Sequence, residues 1–143
     1  MTTNSAPPTA TASLRYLVGS VGQQSLAFPE SWVSNIVAVE RAQVLPLPFY
    51  SPGVVGIIAH QGKMMPLLSA RAFYSELPPL NWNQPTLMAV RLGKSLPELA
   101  GVGVTVERIV HSVTASQLTT ERIVNLSKLP VSLWQPQRWY LNN

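Results

Sequence analysis

Apolar residues in this chain fall in short clusters broken by Gly, Pro, Gln, Asn and Ser, with almost no helical recurrence. Leu14–Val21 predicts a strand, Gly22-Gln23-Gln24 a turn, and Ser25–Phe28 a returning strand. Pro29–Trp32 can start a single helical turn, because proline suits a first helical position. Val33, Ile36, Val37 and Val39 carry a β-branched strand through Glu40. Gln43–Pro52 holds too many prolines for regular structure and predicts an extended connection that buries Leu45, Leu47 and Phe49. The strongest pattern spans 54–71. There an apolar run, a turn at Gln61-Gly62-Lys63 and a second apolar run predict a hairpin. Pro66 sits early in the return run, where a strand start or an edge tolerates it.

Ala70–Tyr74 predicts a short helix, and Leu77–Pro85 is breaker-rich. Thr86–Leu92 reads as a strand and Gly93-Lys94-Ser95 as a turn. Val102, Val104 and Val106 alternate with Gly103 and Thr105 in a period-2 strand, and Ile109–Val113 continues in extended form. Thr119–Asn143, with Ile123-Val124-Asn125-Leu126 and the run Arg138-Trp139-Tyr140, follows no clear pattern. Many short strands with turn chemistry between them predict an all-β sandwich or barrel. Strand–turn–strand patterns on both sides of residues 75–85 place a seam there between two small lobes. Residues 1–13, rich in Thr, Ala, Ser and Pro, read as a disordered tail, and 14–143 as one domain.

Composition removes several classes of function. A chain of 143 residues suits one domain, and 46% hydrophobic against 11% charged residues suits a generous core. There is no cysteine, so disulfides, thiol catalysis and thiolate metal sites are excluded. All six acidic residues are glutamates, and no two are adjacent. Paired-carboxylate and triad chemistry need clusters that this inventory hardly supplies, so no catalytic residue and no metal ligand is nominated. The net charge of +4 comes from ten basic residues spread singly. Nucleic-acid binders concentrate such charge on one stripe. No stretch approaches the ~18 apolar residues that span a bilayer, and residues 1–13 lack the charged and apolar regions of a secretory signal. These features predict a cytoplasmic protein without direct membrane insertion.

The order of features resembles the CheW-like domain family, the adaptors of bacterial chemosensory arrays. Its first half is matched by Tyr16-Leu17-Val18, Leu26-Ala27-Phe28 and Val33-Ser34-Asn35-Ile36. The family hairpin V-x-G-hydrophobic-hydrophobic-N-L-R-G is matched by Val54-Val55-Gly56-Ile57-Ile58-Ala59-His60-Gln61-Gly62, and P-hydrophobic-hydrophobic-D-L-R by Pro66-Leu67-Leu68-Ser69-Ala70-Arg71. Gly103-Val104-Thr105-Val106-Glu107-Arg108-Ile109 matches G-x-x-V-D-x-V. The chain departs from the family where the hairpin arginine becomes Gln61, where the acid before the third-strand isoleucine becomes Asn35, and where D-L-R begins at Ser69. It also lacks the family's closing long strand and helix, so the second barrel is closed differently or left open to a partner strand.

The resemblance implies two small SH3-like five-stranded β-barrel subdomains that share a hydrophobic core, with short helical turns. It implies a non-catalytic adaptor, without cofactor, between a chemoreceptor cytoplasmic tip and the regulatory domain of a CheA-type histidine kinase. The output would be flagellar or pilus-driven motility such as phototaxis. Val33, Asn35, Ile36, Gln61, Gly62 and Arg71 are the partner-binding positions so implied. Each also has a plainer reading. Val33 and Ile36 fit a core, Gly62 a turn needing positive φ, and Arg71 a solvated strand end. Trp134, Trp139 and Tyr140 either plug the second barrel or form an exposed patch. A small basic barrel binding nucleic acid, with cations converging beside aromatics, and a ligand-binding barrel or cryptic enzyme, with a concave pocket, stay open at this point.

Overall fold

The computed structural model describes residues 14–47, 50, 53–79, 83–126 and 129. The tail at 1–13, Phe49, Trp134, Trp139 and Tyr140 lie outside them. Nine strands run in chain order among the described residues. They are β1 (Arg15–Val21), β2 (Gln24–Pro29), β3 (Val33–Glu40), β4 (Val54–His60), β5 (Lys63–Ser69), β6 (Thr86–Leu92), β7 (Gly103–Val106), β8 (Arg108–Thr114) and β9 (Arg122–Ile123). Short 3-10 turns at Glu30–Trp32, Arg41–Gln43, Ala70–Ala72 and Ala115–Gln117 join them. The fold is thus all-β in two small sheet-built subdomains, the class read from the sequence.

One sheet has the order β8-β1-β2-β9 and the other β3-β6-β7-β5-β4. The expected five strands are present in the second, whereas the first has four among the described residues. Residues 75–85, read as the seam between lobes, connect β5 to β6 within the same sheet. The division falls instead between β1, β2, β8 and β9 and the strands enclosed by them in sequence.

The hairpin at 54–69 forms because its two-residue turn has positive φ at both positions, 52° at Gln61 and 79° at Gly62. That geometry matches the right-handed twist of the flanking strands. Pro66 pairs with Ile57 on the β4 side, and the ladder from β5 to β7 starts only at Leu67. A residue without an N–H therefore sits where the β7 side is not yet paired.

The five-stranded sheet curls round its own interior. Val37 and Val39 of β3 share a cluster with Ile58 of β4, Met65 and Leu67 of β5 and Ala89 of β6. A larger cluster joins the sheets, with Leu26 and Phe28 against Leu68, Val90, Leu92, Val104 and Val106. Each such fully buried Leu or Phe stabilises the fold by roughly 1.5–3 kcal/mol. Residues Gly103–Val106 are buried on both faces, because β7 lies inside this sandwich, so their alternation marks no solvent face. Thr105 survives there by donating its hydroxyl to the Leu68 carbonyl at 3.1 Å.

The connection at 43–52 departs from expectation at Leu45, which is 59% exposed. Its backbone pins the segment, since Leu45 and Ile57 exchange N–H···O bonds of 2.8 and 2.9 Å. Leu47 packs partly against the main core as expected.

Candidate functional site

Strand direction decides which of the nominated residues can act together. β3 runs antiparallel to β6, β6 to β7 and β4 to β5, while β5 and β7 are parallel. The starts of β3, β5 and β7 and the ends of β4 and β6 therefore share one end of the five-stranded sheet. Val33, Asn35, Gln61 and Gly62 lie toward that end, and Ile36 sits at the middle of β3, opposite Val90. Arg71 does not. It follows β5 at the opposite end, where its guanidinium donates to the Ser75 carbonyl at 3.2 and 3.4 Å.

A register shift between Val33 and Asn35 sets what β3 presents. Before it, Val33 is half-buried against the main core. Beyond it, Val37 and Val39 turn into the barrel, and Ser34, Asn35, Ile36 and Ala38 are exposed. Ile36 is 39% exposed, so it is a surface apolar group and not a core residue. Gln61 and Gly62 are exposed at the hairpin tip, and a side chain at Gly62 would meet nothing within 4 Å. This end offers one apolar edge strand and one projecting tip.

Two cations that sequence reasoning did not single out sit beside these residues. Arg91, near the end of β6, pairs across the sheet with Asn35 on one side and Gly103 on the other. Lys94 follows in the loop to β7. Both line an open groove of about 570 Å³ with Ser31, Val33, Ser34 and Ser95. The available signal was an arginine inside the apolar run Leu87-Met88-Ala89-Val90-Arg91-Leu92, just before a Gly-Lys-Ser turn.

A second open cleft, of about 560 Å³, is lined by Trp32, Tyr74, Glu121, Ile123 and Leu126. Tyr74 donates its hydroxyl to the Ile123 carbonyl at 2.6 Å, and Arg122 stacks 5.4 Å from its ring centroid while pairing with Glu76. The Thr119 N–H donates to the Glu121 carboxylate at 2.7 Å and holds its pKa below the ordinary 4.5.

Five of the six glutamates are dispersed over separate structural contacts. Glu30 pairs with Arg15, Glu40 accepts from Thr86, Glu107 from the Gly22 N–H, and Glu76 and Glu121 are engaged as above. His60 lies in β4 and His111 in β8, in different sheets. Among the described residues no group of three or more His, Cys, Asp or Glu could hold a metal. No helix among them is long and apolar enough to cross a membrane.

No family model matches the sequence, and no curated protein matches it. Fifteen solved chains match its structure. One is the crystal structure of the scaffolding protein TtCheW from Thermoanaerobacter tengcongensis, with a TM-score of 0.53 at 13% identity. The match covers 71% of this chain and 65% of that one, so this chain spans just under two thirds of that protein's length. At such identity the likeness establishes the architecture, and the architecture is that of a CheW fold of two small β subdomains.

Proposed function

We propose that this chain is a non-catalytic cytoplasmic adaptor that couples a methyl-accepting-type chemoreceptor to a CheA-type histidine kinase, in a pathway controlling motility. The carrying observation is that Val33 and Asn35 of β3 and the hairpin tip at Gln61 and Gly62 lie toward the same end of the five-stranded sheet, with Ile36 exposed at the middle of β3, in a fold like that of a scaffolding protein. An edge strand with an outward isoleucine and a projecting hairpin tip can add contacts to a partner without rearrangement. The cleft beside Tyr74 is lined by a single glutamate, Glu121, whose carboxylate already accepts from the Thr119 N–H, so no carboxylate pair lines it. Arg15 and Arg122 are tied to Glu30 and Glu76, which weakens the case for a phosphate-tracking stripe. Interfaces would be of transient size, on the order of 1,200 Å² or less. Receptor state would act by shifting the kinase between populations through differential contacts.

The test is co-purification with the kinase regulatory domain and with the receptor cytoplasmic tip. Val33→Glu or Ile36→Glu should weaken capture of one of them at least about tenfold, since each places a charge where an apolar contact carries affinity. Arg71→Gln, at the far end, should leave that capture unchanged. Wild-type protein that retains neither partner would refute the assignment.

A further inference from the structure

The groove at the β6–β7 end is lined by two cations, Arg91 and Lys94, that form no ion pair among the described residues. The ion pairs among the described residues are Arg15–Glu30 and Arg122–Glu76. Arg91 faces neutral neighbours in both ladders, Asn35 and Gly103. Its Nε is buried without a hydrogen-bond partner among the described residues. Part of the desolvation cost of this guanidinium is therefore already met in the free protein. Lys94 adds a second, exposed cation to the same groove.

The walls are fixed by bonds that do not involve these cations. The Gly93 N–H donates to the Trp32 carbonyl, the Ser95 hydroxyl to the Ser31 carbonyl and the Gly101 N–H to the Leu92 carbonyl, each at 2.8 Å. Gly101 has φ +87°, and a Cβ there would lie 4.0 Å from Arg91 Nη2, so the loop runs close beside the guanidinium. Val33 lines the groove, and Ile36 is exposed farther along the same strand.

Resting on the adaptor reading, we infer that this groove receives a carboxylate side chain from the docked protein partner, with Arg91 as its principal donor and Lys94 as a second. Arginine matches a carboxylate in a bidentate geometry that neither lysine nor a hydroxyl reproduces. A small phosphate suits the site less well. The Gly93 and Gly101 N–H groups and the Ser95 hydroxyl are already used by the fold and are not available to wrap an anion. The open shape and the neighbouring apolar strand fit a protein surface with an acid set among apolar residues, where the surrounding contact excludes water.

Isothermal titration with the receptor tip fragment and with the kinase regulatory domain tests this, using wild type, Arg91→Glu, Arg91→Gln, Arg91→Lys and Lys94→Glu. Arg91→Glu should weaken binding of one partner by about 10–100-fold and spare the other. Arg91→Lys should recover part of the loss, and the wild-type affinity should fall with added salt. Exchanging the contacting glutamate or aspartate of the partner for arginine should restore binding to Arg91→Glu, which a merely structural role cannot produce. If Arg91→Glu does not fold, Arg91→Gln and Lys94→Glu carry the test. Folded charge variants that bind both partners as wild type does overturn the inference and leave the adaptor reading standing. Inorganic phosphate saturating the groove at millimolar concentration, seen as shifts confined to Ser34, Gly93, Lys94 and Gly101, with charge variants binding both partners normally, would overturn it in favour of a small-anion site. Wild type that binds neither partner refutes the adaptor reading itself.

Discussion

Three glycine-to-alanine substitutions should destabilise this fold in a fixed order, because each adds the same methyl group to a different kind of space. At Gly62 a Cβ meets nothing within 4 Å, so only the positive φ of 79° is penalised, costing about 1 kcal/mol. At Gly19 no positive φ is involved, but a Cβ would lie 3.0 Å from both Val106 methyl carbons. Val106 is fully buried, β-branched and held within β7, so it cannot rotate away, and overpacking of this kind costs about 1–3 kcal/mol. Removing a glycine from the unfolded chain returns roughly 0.5–1 kcal/mol at each of the three sites alike, so it leaves their order unchanged. At Gly56 both penalties combine. Its φ is +156°, and the new carbon would fall on the Leu45 carbonyl oxygen and lie 2.9 Å from Val44 Cγ1. Backbone cannot yield as a side-chain tip can, so the loss should reach about 3 kcal/mol or more. Urea unfolding with a shared m-value reads all three. An equal or higher midpoint for Gly19→Ala, or a larger loss at Gly62 than at Gly19, would refute the claim that the two sheets are in close contact at Gly19.

Thr105→Val keeps the shape but removes the donor to the Leu68 carbonyl, and urea unfolding should show a loss of about 1 kcal/mol; no loss would show that the bond contributes nothing. The Glu121 carboxyl should titrate below 4.5 by NMR, and Thr119→Pro, which deletes the donating N–H, should move it upward. Because its folded pKa is depressed, any stability it contributes is present above the unfolded value and lost as pH falls through the folded one. Asn35→Glu places a carboxylate opposite Arg91 and should raise stability by about 0.2–1 kcal/mol, while reducing partner capture as Arg91→Gln does. A gain in stability with capture unchanged would separate Arg91 from the docking surface.

Much of the architecture was legible because local chemistry and tertiary packing agree. Thr86–Leu92 forms the strand its apolar run predicts, and Gln61-Gly62 forms the turn its glycine predicts. The partition into sheets was not legible. Matching strand–turn–strand patterns on either side of residues 75–85 suggested a boundary there, but pairing depends on long-range registers such as Leu67 with Gly103 and Val37 with Ala89. No local signal encodes those. Leu45 misled because hydrophobicity does not reveal that its backbone, and not its side chain, makes the anchoring contact. Only the core reading of Ile36 failed, through a one-residue register shift after Val33 that turned Val37 inward and left Ile36 at the surface. The groove cations were missed because Arg91 and Lys94 become notable only when the topology brings their loop against Ser31 and Ser34.

Two of the departures from the family pattern acquire a meaning once Asn35 and Gln61 are seen toward the same end of the sheet. In the family that the sequence resembles, those positions carry an acid and an arginine. Here both are neutral and exposed, so neither leaves a buried charge without its counterpart, the arrangement that costs most. The loss of the acid still changes the field. Asn35 is the cross-strand neighbour of Arg91, and an acid there would have neutralised it. With Asn35 in place, Arg91 and Lys94 on one side and Lys63, directly after the hairpin tip, on the other outnumber the one carboxylate of the β6–β7 connection, Glu98, and leave a positive balance at this end. A partner that presents basic groups to this surface is repelled, and one that presents an acid is favoured. Discrimination between related partners by such a difference needs no new apolar contact, only the removal of one neutralising side chain.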